Sequence, residues 1–295
     1  MATAPKKPAK KADDSGTQPP APREASGWKP TPEAKAQSTR LRIIALVLWV
    51  VAIALEAVAI FWVLRPSTDE MAAAHGFPQW RWWLLIGFLV VIAALSIIGS
   101  QLWKKANHLD PASKKEPVRF FVQNQLGAII ALIAFVPLII LIFLNKDMDG
   151  KQKGIAGGIG VVLAIAAILA GVDFHPLSQE QAWVESQVVV QLVGEDQVAW
   201  TPSGTVMHLC TTASDLKNST NIQTGTVAEA FGANTKMQGI TLKLDQEYAQ
   251  CFPDKPVPEN MPDLIAWVQS ARAARAGTPS SVDTGSVPEP APTPS

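Results

Sequence analysis

The chain has 295 residues, no formal net charge at neutral pH and a mean hydropathy of +0.16. Zero net charge removes the electrostatic case for a nucleic-acid partner. The mild hydropathy averages unlike parts: a polar N-terminal segment, an apolar middle and a polar C-terminal third.

Residues 1–39 are rich in Lys, Ala, Pro and Ser and hold no apolar run. Such a segment buries too little surface to offset its ordering entropy, so it is expected to be a disordered tether. The cluster Lys6, Lys7, Lys10 and Lys11 has the chemistry to touch anionic lipid, but it lies far from the first apolar run. No secretory signal peptide is expected. The first apolar run begins only after about forty polar residues, is long, and carries Arg40 and Arg42 on its flank, so it reads as an uncleaved anchor.

Four apolar runs follow, at 43–64, 82–102, 121–144 and 155–172. A helix needs about 20 apolar residues to cross the hydrocarbon core of a bilayer. The expected fold is therefore an α-helical membrane protein, with four transmembrane helices within 40–173. A small soluble α+β domain is expected over 174–276, and a second disordered tail over 277–295. The bilayer is the first expected partner, and the cell membrane the expected location.

Lys and Arg favour cytoplasmic flanks. One side carries Lys29, Lys35, Arg40, Arg42, Lys104, Lys105, Lys114, Lys115 and Arg119, nine in all. The other carries Arg65, Arg81, Lys146, Lys151 and Lys153, five in all. The count puts both termini in the cytoplasm. Trp62, Trp80, Trp82 and Trp83 suit one interface and Trp103 the other, because an indole has an apolar ring and an N–H that wants a wet partner. An aromatic ligand cage is the other reading of that cluster.

Glu56 is the one acid well inside a run. An intramembrane carboxylate is costly and often functional, as a proton or cation site or a contact to another subunit. A protonated Glu bonded to a backbone carbonyl would serve equally. Gly150, Gly154 and Gly158 form one row of small residues, and Ala156, Gly160 and Ala164 a second. Four-residue spacing lets another helix approach closely, either within the bundle or from a different subunit. Pro137 is expected to kink the third span. The stretch 145–150 echoes half a calcium loop, but Ala156 stands where the bidentate Glu belongs, so a plain turn is expected.

In the soluble part, Ser178-Gln-Glu-Gln181 and Thr226-Val-Ala-Glu229 have capping-box form. Two runs, 197–201 and 205–209, split by Pro202-Ser203-Gly204, predict a hairpin. Residues 240–244 alternate like a strand, and 262–276 read as a final amphipathic helix. His75 and His108 are expected in solvated loops between spans.

The stretch Val198-Ala-Trp-Thr-Pro-Ser-Gly-Thr-Val-Met-His208-Leu, then Leu216-Lys-Asn-Ser219, Ile222 and Gly225-Thr-Val-Ala-Glu-Ala230, resembles a small module of bacterial membrane and envelope proteins. That module's Cys and His residues look like a metal site. The resemblance implies His208, Cys210 and Cys251 as ligands here. The chain departs from the pattern: Ala213 stands where a Cys is expected, and Cys251 stands without its pair. Three ligands fall short of a closed tetrahedral zinc site, which leaves free or paired structural thiols as the alternative and no cofactor expected.

Residues 40–250, through Leu102-Trp-Lys-Lys-Ala-Asn-His-Leu-Asp-Pro-Ala-Ser113, Phe121-Val-Gln-Asn-Gln-Leu-Gly127 and 145–154, also resemble four-span membrane proteins of actinobacteria, especially corynebacteria. The resemblance implies a cell-membrane location and no activity. Some small proteins of that lineage associate with the cytochrome bcc–aa3 respiratory supercomplex, which makes it a candidate partner.

No Walker-type loop, GxGxxG, HExxH or GxSxG occurs. The leading expectation is a non-catalytic membrane accessory or scaffold protein. The rival is a small ion-coupled transporter or membrane sensor built on Glu56.

Overall fold

The computed structural model describes residues 30–65 and 76–275. The fold is mostly helical. Four long helices form a bundle: α1 (Pro32–Val58, continued by a π-helical turn Ala59–Val63), α2 (Gln79–Leu109), α3 (Pro117–Leu144) and α4 (Gly150–Gly171). By length and composition, all four are able to cross a membrane. The central helix is α2, which packs against α1, α3 and α4. Leu85, Leu89, Ile92, Phe135, Leu138 and Ile142 fill the interior. The exterior is also apolar, with Val50, Phe61, Ile98, Leu132 and Val162 exposed. So large an apolar outer surface suits lipid rather than water.

Helix α1 begins earlier than the sequence suggests. Residues 32–39, expected in the disordered tail, are helical. Thr31 is the reason: its Oγ1 accepts the Ala34 N–H at 3.2 Å, Pro32 presets the first turn and Glu33 suits the dipole. The other tail residues, 1–29 and 277–295, lie outside the described residues, as does Ala276, the last residue of the predicted final helix. So does His75.

The 22 residues of α4 span about 33 Å, close to a bilayer core of about 30 Å. By contrast α2, with 31 residues, is about 46 Å long and overshoots. Its last turns enter the sheet-containing C-terminal region. Leu109 packs where a Cβ on Gly232 would sit, so the domain is seated directly on the helix end. His108 is therefore buried in this junction, not in a solvated loop as expected.

Of the two small-residue rows in α4, only one packs inward. Ala156, Gly160 and Ala164 are buried, with Ile139 Cγ1 3.1 Å from a Cβ built on Gly160. At the other end, Gly171 lies so close to Gly127 and Ala128 of α3 that a Cβ would strike backbone. Gly150, Gly154 and Gly158 have nothing within 4 Å, so they do not pack within the bundle. Helix α3 runs through Pro137 without interruption.

The loop before α4 is a turn held by Asn145. Its Oδ1 accepts the Asp147 and Met148 amides at 2.9 and 3.1 Å, and its Nδ2 donates to the Leu64 carbonyl. Asp149 then caps α4 in a reciprocal box with Gln152.

The C-terminal region comprises α5 (Gln179–Val193), β1 (Val198–Trp200), β2 (Val206–Met207), a 3-10 turn (Ser214–Leu216), β3 (Gln223–Gly225), α6 (Val227–Ala233), β4 (Gly239–Ile240), α7 (Leu244–Cys251) and α8 (Met261–Arg275). Its core surrounds α5, whose Trp183 meets Trp267 of α8 edge-on at 5.4 Å. The expected hairpin forms only in outline. Ala199 and His208 make a single antiparallel bridge, while β1 pairs antiparallel with β3 and β2 parallel with β4. The predicted strand 240–244 is also corrected: β4 ends at Ile240, and Leu244 opens a helix. Thr226 and Glu229 do form a full capping box. Ser178 caps α5, but Gln181 turns away to Glu185 and the Gln238 carbonyl.

Candidate functional site

Glu56 sits in the bundle at 5% exposure, and its Oε1 has no hydrogen-bond partner. The backbone of Leu138, directly after Pro137, interacts with the Glu56 carboxyl. Proline lacks an N–H, so the Ile133 carbonyl loses its helical partner one turn away. Among the described residues no basic side chain pairs with Glu56. A buried, unpaired carboxyl is costly unless it takes up a proton or a cation.

A larger polar constellation lies where the bundle meets the C-terminal region. His108 Nε2 is 3.4 Å from Asp173 Oδ2, with the two side chains only 1% and 10% exposed. Lys104 Nζ donates to the Val172 carbonyl at 2.5 Å, and Gln101 to the Ala170 carbonyl at 3.2 Å. These bonds satisfy two of the carbonyls that have no helical partner at the end of α4, those of Ala170 and the cap residue Val172. Burial works to raise the Asp173 pKa, but His108, the His175 amide and Lys104 outweigh it and hold the carboxyl below its ordinary range.

The same junction is tied on its other sides. Arg42 of α1 grips Asp110 twice, at Oδ2 (2.9 Å) and at the carbonyl (2.8 Å). Ser113 donates to Glu180 at 2.5 Å, and Lys114 Nζ to the Ala274 carbonyl at 2.5 Å. Residues from α1, α2, α4, α5 and α8 thus meet in one layer.

Inside the C-terminal region, Glu185 is fully buried. It accepts from Gln181 at 3.1 Å, the Ile240 amide at 2.8 Å and Arg272 at 3.4 Å. Burial raises its pKa against the pull of Arg272 and these donors. Gly239, at φ +140°, leaves the space that Glu185 and Arg272 occupy; a Cβ there would overlap both. Glu247 makes a second buried acid node. It accepts the Leu209 amide at 2.6 Å and meets His208 Nδ1 at 2.8 Å.

The ligand set implied by resemblance does not assemble. Cys210 and Cys251 are bonded to each other, with Cα atoms 5.9 Å apart. A disulfide sulfur is no thiolate ligand, and His208 faces Glu247 instead. Among the described residues no group of three or more His, Cys, Asp or Glu is placed to hold a metal.

Sequence reasoning missed Asp173 and the burial of His108. The available signal was Lys104 and His108 at i, i+4, on a helix continuing past the apolar run. It also missed Glu185, whose spacing from Gln181 is the same.

Compared with protein-family profiles, curated proteins and solved structures, the chain matches none.

Proposed function

We propose that this chain is a non-catalytic, multi-pass accessory or scaffold protein of the cell membrane, acting within a respiratory or envelope complex. The observation that carries the reading is the outward row Gly150, Gly154, Gly158. Helix α4 keeps a small-residue face with no neighbour from its own bundle. Such a face suits close approach of a helix from another subunit. The tight junction adds support, because a soluble domain seated on α2 is presented at a fixed height and angle to a partner. The test is gentle detergent extraction of wild type and of the double variant Gly154→Leu, Gly158→Leu. A subunit that co-purifies in fixed ratio with wild type and is lost from the variant supports the reading. Identical recovery of the same partners from both overturns it.

Four crossings leave both termini on one side. We propose the cytoplasm for that side. The first helix usually dominates orientation, and its flanks carry Lys29, Lys35, Arg40 and Arg42 at one end against Arg65 at the other. The Cys210–Cys251 bond is the opposing observation, since disulfides persist mainly in oxidising compartments.

A second reading, a small ion-coupled transporter or sensor, is supported by the unpartnered Oε1 of Glu56. Loss of proton-coupled transport or signalling in Glu56→Gln would favour it over the scaffold.

A further inference from the structure

A cavity of about 600 Å³ lies between the exit of α4 and the soluble domain, lined among others by Gln101, Lys104, Val172, Phe174, Lys236 and Arg272. Its depth is set by the helices. Gly171 ends a helix whose length matches one bilayer core, and Lys104 stands two residues past the apolar run of α2. The cavity therefore sits at headgroup level. It reaches the outer surface, because Gln101 is exposed on the flank of α2 and Phe174 is 66% exposed beside it. Three basic side chains, Lys104, Lys236 and Arg272, line it against one acid, Asp173. That acid is already engaged by His108 and by the nearby Lys104, whose Nζ also donates to the Val172 carbonyl, and Arg272 is engaged by Glu185. Lys236 is exposed and has no ion-pair partner among the described residues.

From this we infer that the crevice binds the phosphate headgroup of an anionic phospholipid, with its acyl chains running down the apolar outer surface of α2 and α4. Basic pockets beside spanning helices recognise such headgroups by charge, at about 1 kcal/mol per lysine near the surface. Phe174 supplies an apolar contact at the boundary, where aromatic rings partition well. The inference rests on the membrane-spanning reading of α2 and α4 and is independent of the accessory role.

The test uses delipidated full-length protein in neutral detergent, titrated with phosphatidylglycerol, phosphatidylcholine or inorganic phosphate, with bound molecules counted by native mass spectrometry. Phosphatidylglycerol is expected to bind roughly tenfold more tightly than phosphatidylcholine. Lys236→Gln, on an exposed loop, should weaken that binding about fivefold, the effect of one surface lysine. Lys104→Gln should weaken it further if the variant folds, and Lys236→Gln alone suffices if it does not. Equal binding of the two lipids, or no effect of Lys236→Gln, overturns the assignment. So does displacement of phosphatidylglycerol by an equal concentration of inorganic phosphate, which would mark a soluble-anion site. Carbonate extraction of the same membranes separates these outcomes from a failure of the membrane-spanning reading.

Discussion

His108 Nε2 lies 3.4 Å from Asp173 Oδ2, and through that contact the end of α2 holds the chain as it leaves α4. The His108 ring is 1% exposed and the Asp173 side chain 10%, so water is a poor substitute for this contact on the imidazole side. Asp173→Asn should weaken the seating of the soluble domain by about 1–3 kcal/mol, the usual cost of disrupting a buried hydrogen bond. Limited proteolysis at residues 173–178, together with thermal unfolding, measures this. Unchanged protease resistance would show that the other ties suffice.

The pH dependence contributed by Asp173 has a definite sign. Its folded pKa is depressed below 3.8, so its contribution is present above that value. It is lost as the pH falls through the folded value. The stability contribution of this carboxyl, read as the difference between wild type and Asp173→Asn, should be present above 3.8 and shrink as the pH falls below it. A difference that disappears already at pH 5 would contradict the assignment.

Gly171→Ala and Gly154→Ala should differ sharply. A methyl at 171 strikes the backbone of Gly127 and Ala128, whereas one at 154 meets open space. Overpacking costs about 1–3 kcal/mol. The measurement is thermal unfolding in detergent. Equal midpoints for the two variants would refute the close crossing of α3 and α4.

Glu56→Gln keeps the shape of the side chain and removes its ionisation. For an accessory protein it should leave expression, folding and partner recovery unchanged, since no ion pair is lost. A clear loss of ion-coupled activity with intact folding would shift the assignment to the transporter or sensor reading.

Orientation is testable at two positions. A Cys placed at residue 75, between α1 and α2, should react with a membrane-impermeant maleimide from outside intact cells, in a chain whose own cysteines are replaced by Ser. Reaction only after lysis reverses the topology. Alkylation of unreduced wild type in intact cells then reads the Cys210–Cys251 pair. Two alkylated thiols agree with the cytoplasmic side, and a linked peptide argues for the oxidising side.

Much of this architecture was legible locally. Four apolar runs of spanning length imply four long helices whatever their arrangement, because a helix satisfies its own backbone and run length is a property of the segment alone. The caps at Ser178 and Thr226 were legible for the same reason: cap and amide lie three residues apart. The start of α1 at Thr31-Pro32-Glu33 carried an equally local signal, hidden by the polar composition around it.

Other features needed the tertiary structure. Gly154 and Gly160 look alike in the sequence, yet only Gly160 meets Ile139 and Leu89, because the rotation of α4 about its axis is set by its neighbours. His108 lies at a helix end that composition assigns to solvent, and it is buried because the C-terminal region packs against the end of α2. Residues 240–244 alternate as a strand does, but β4 stops where its partner β2 stops. Cys210 and Cys251, 41 residues apart, meet because the bridge at Ala199–His208 and the helix α7 converge. In each case the deciding partner lies far along the chain. A local pattern specifies which surface a segment can offer, and packing alone selects what meets it.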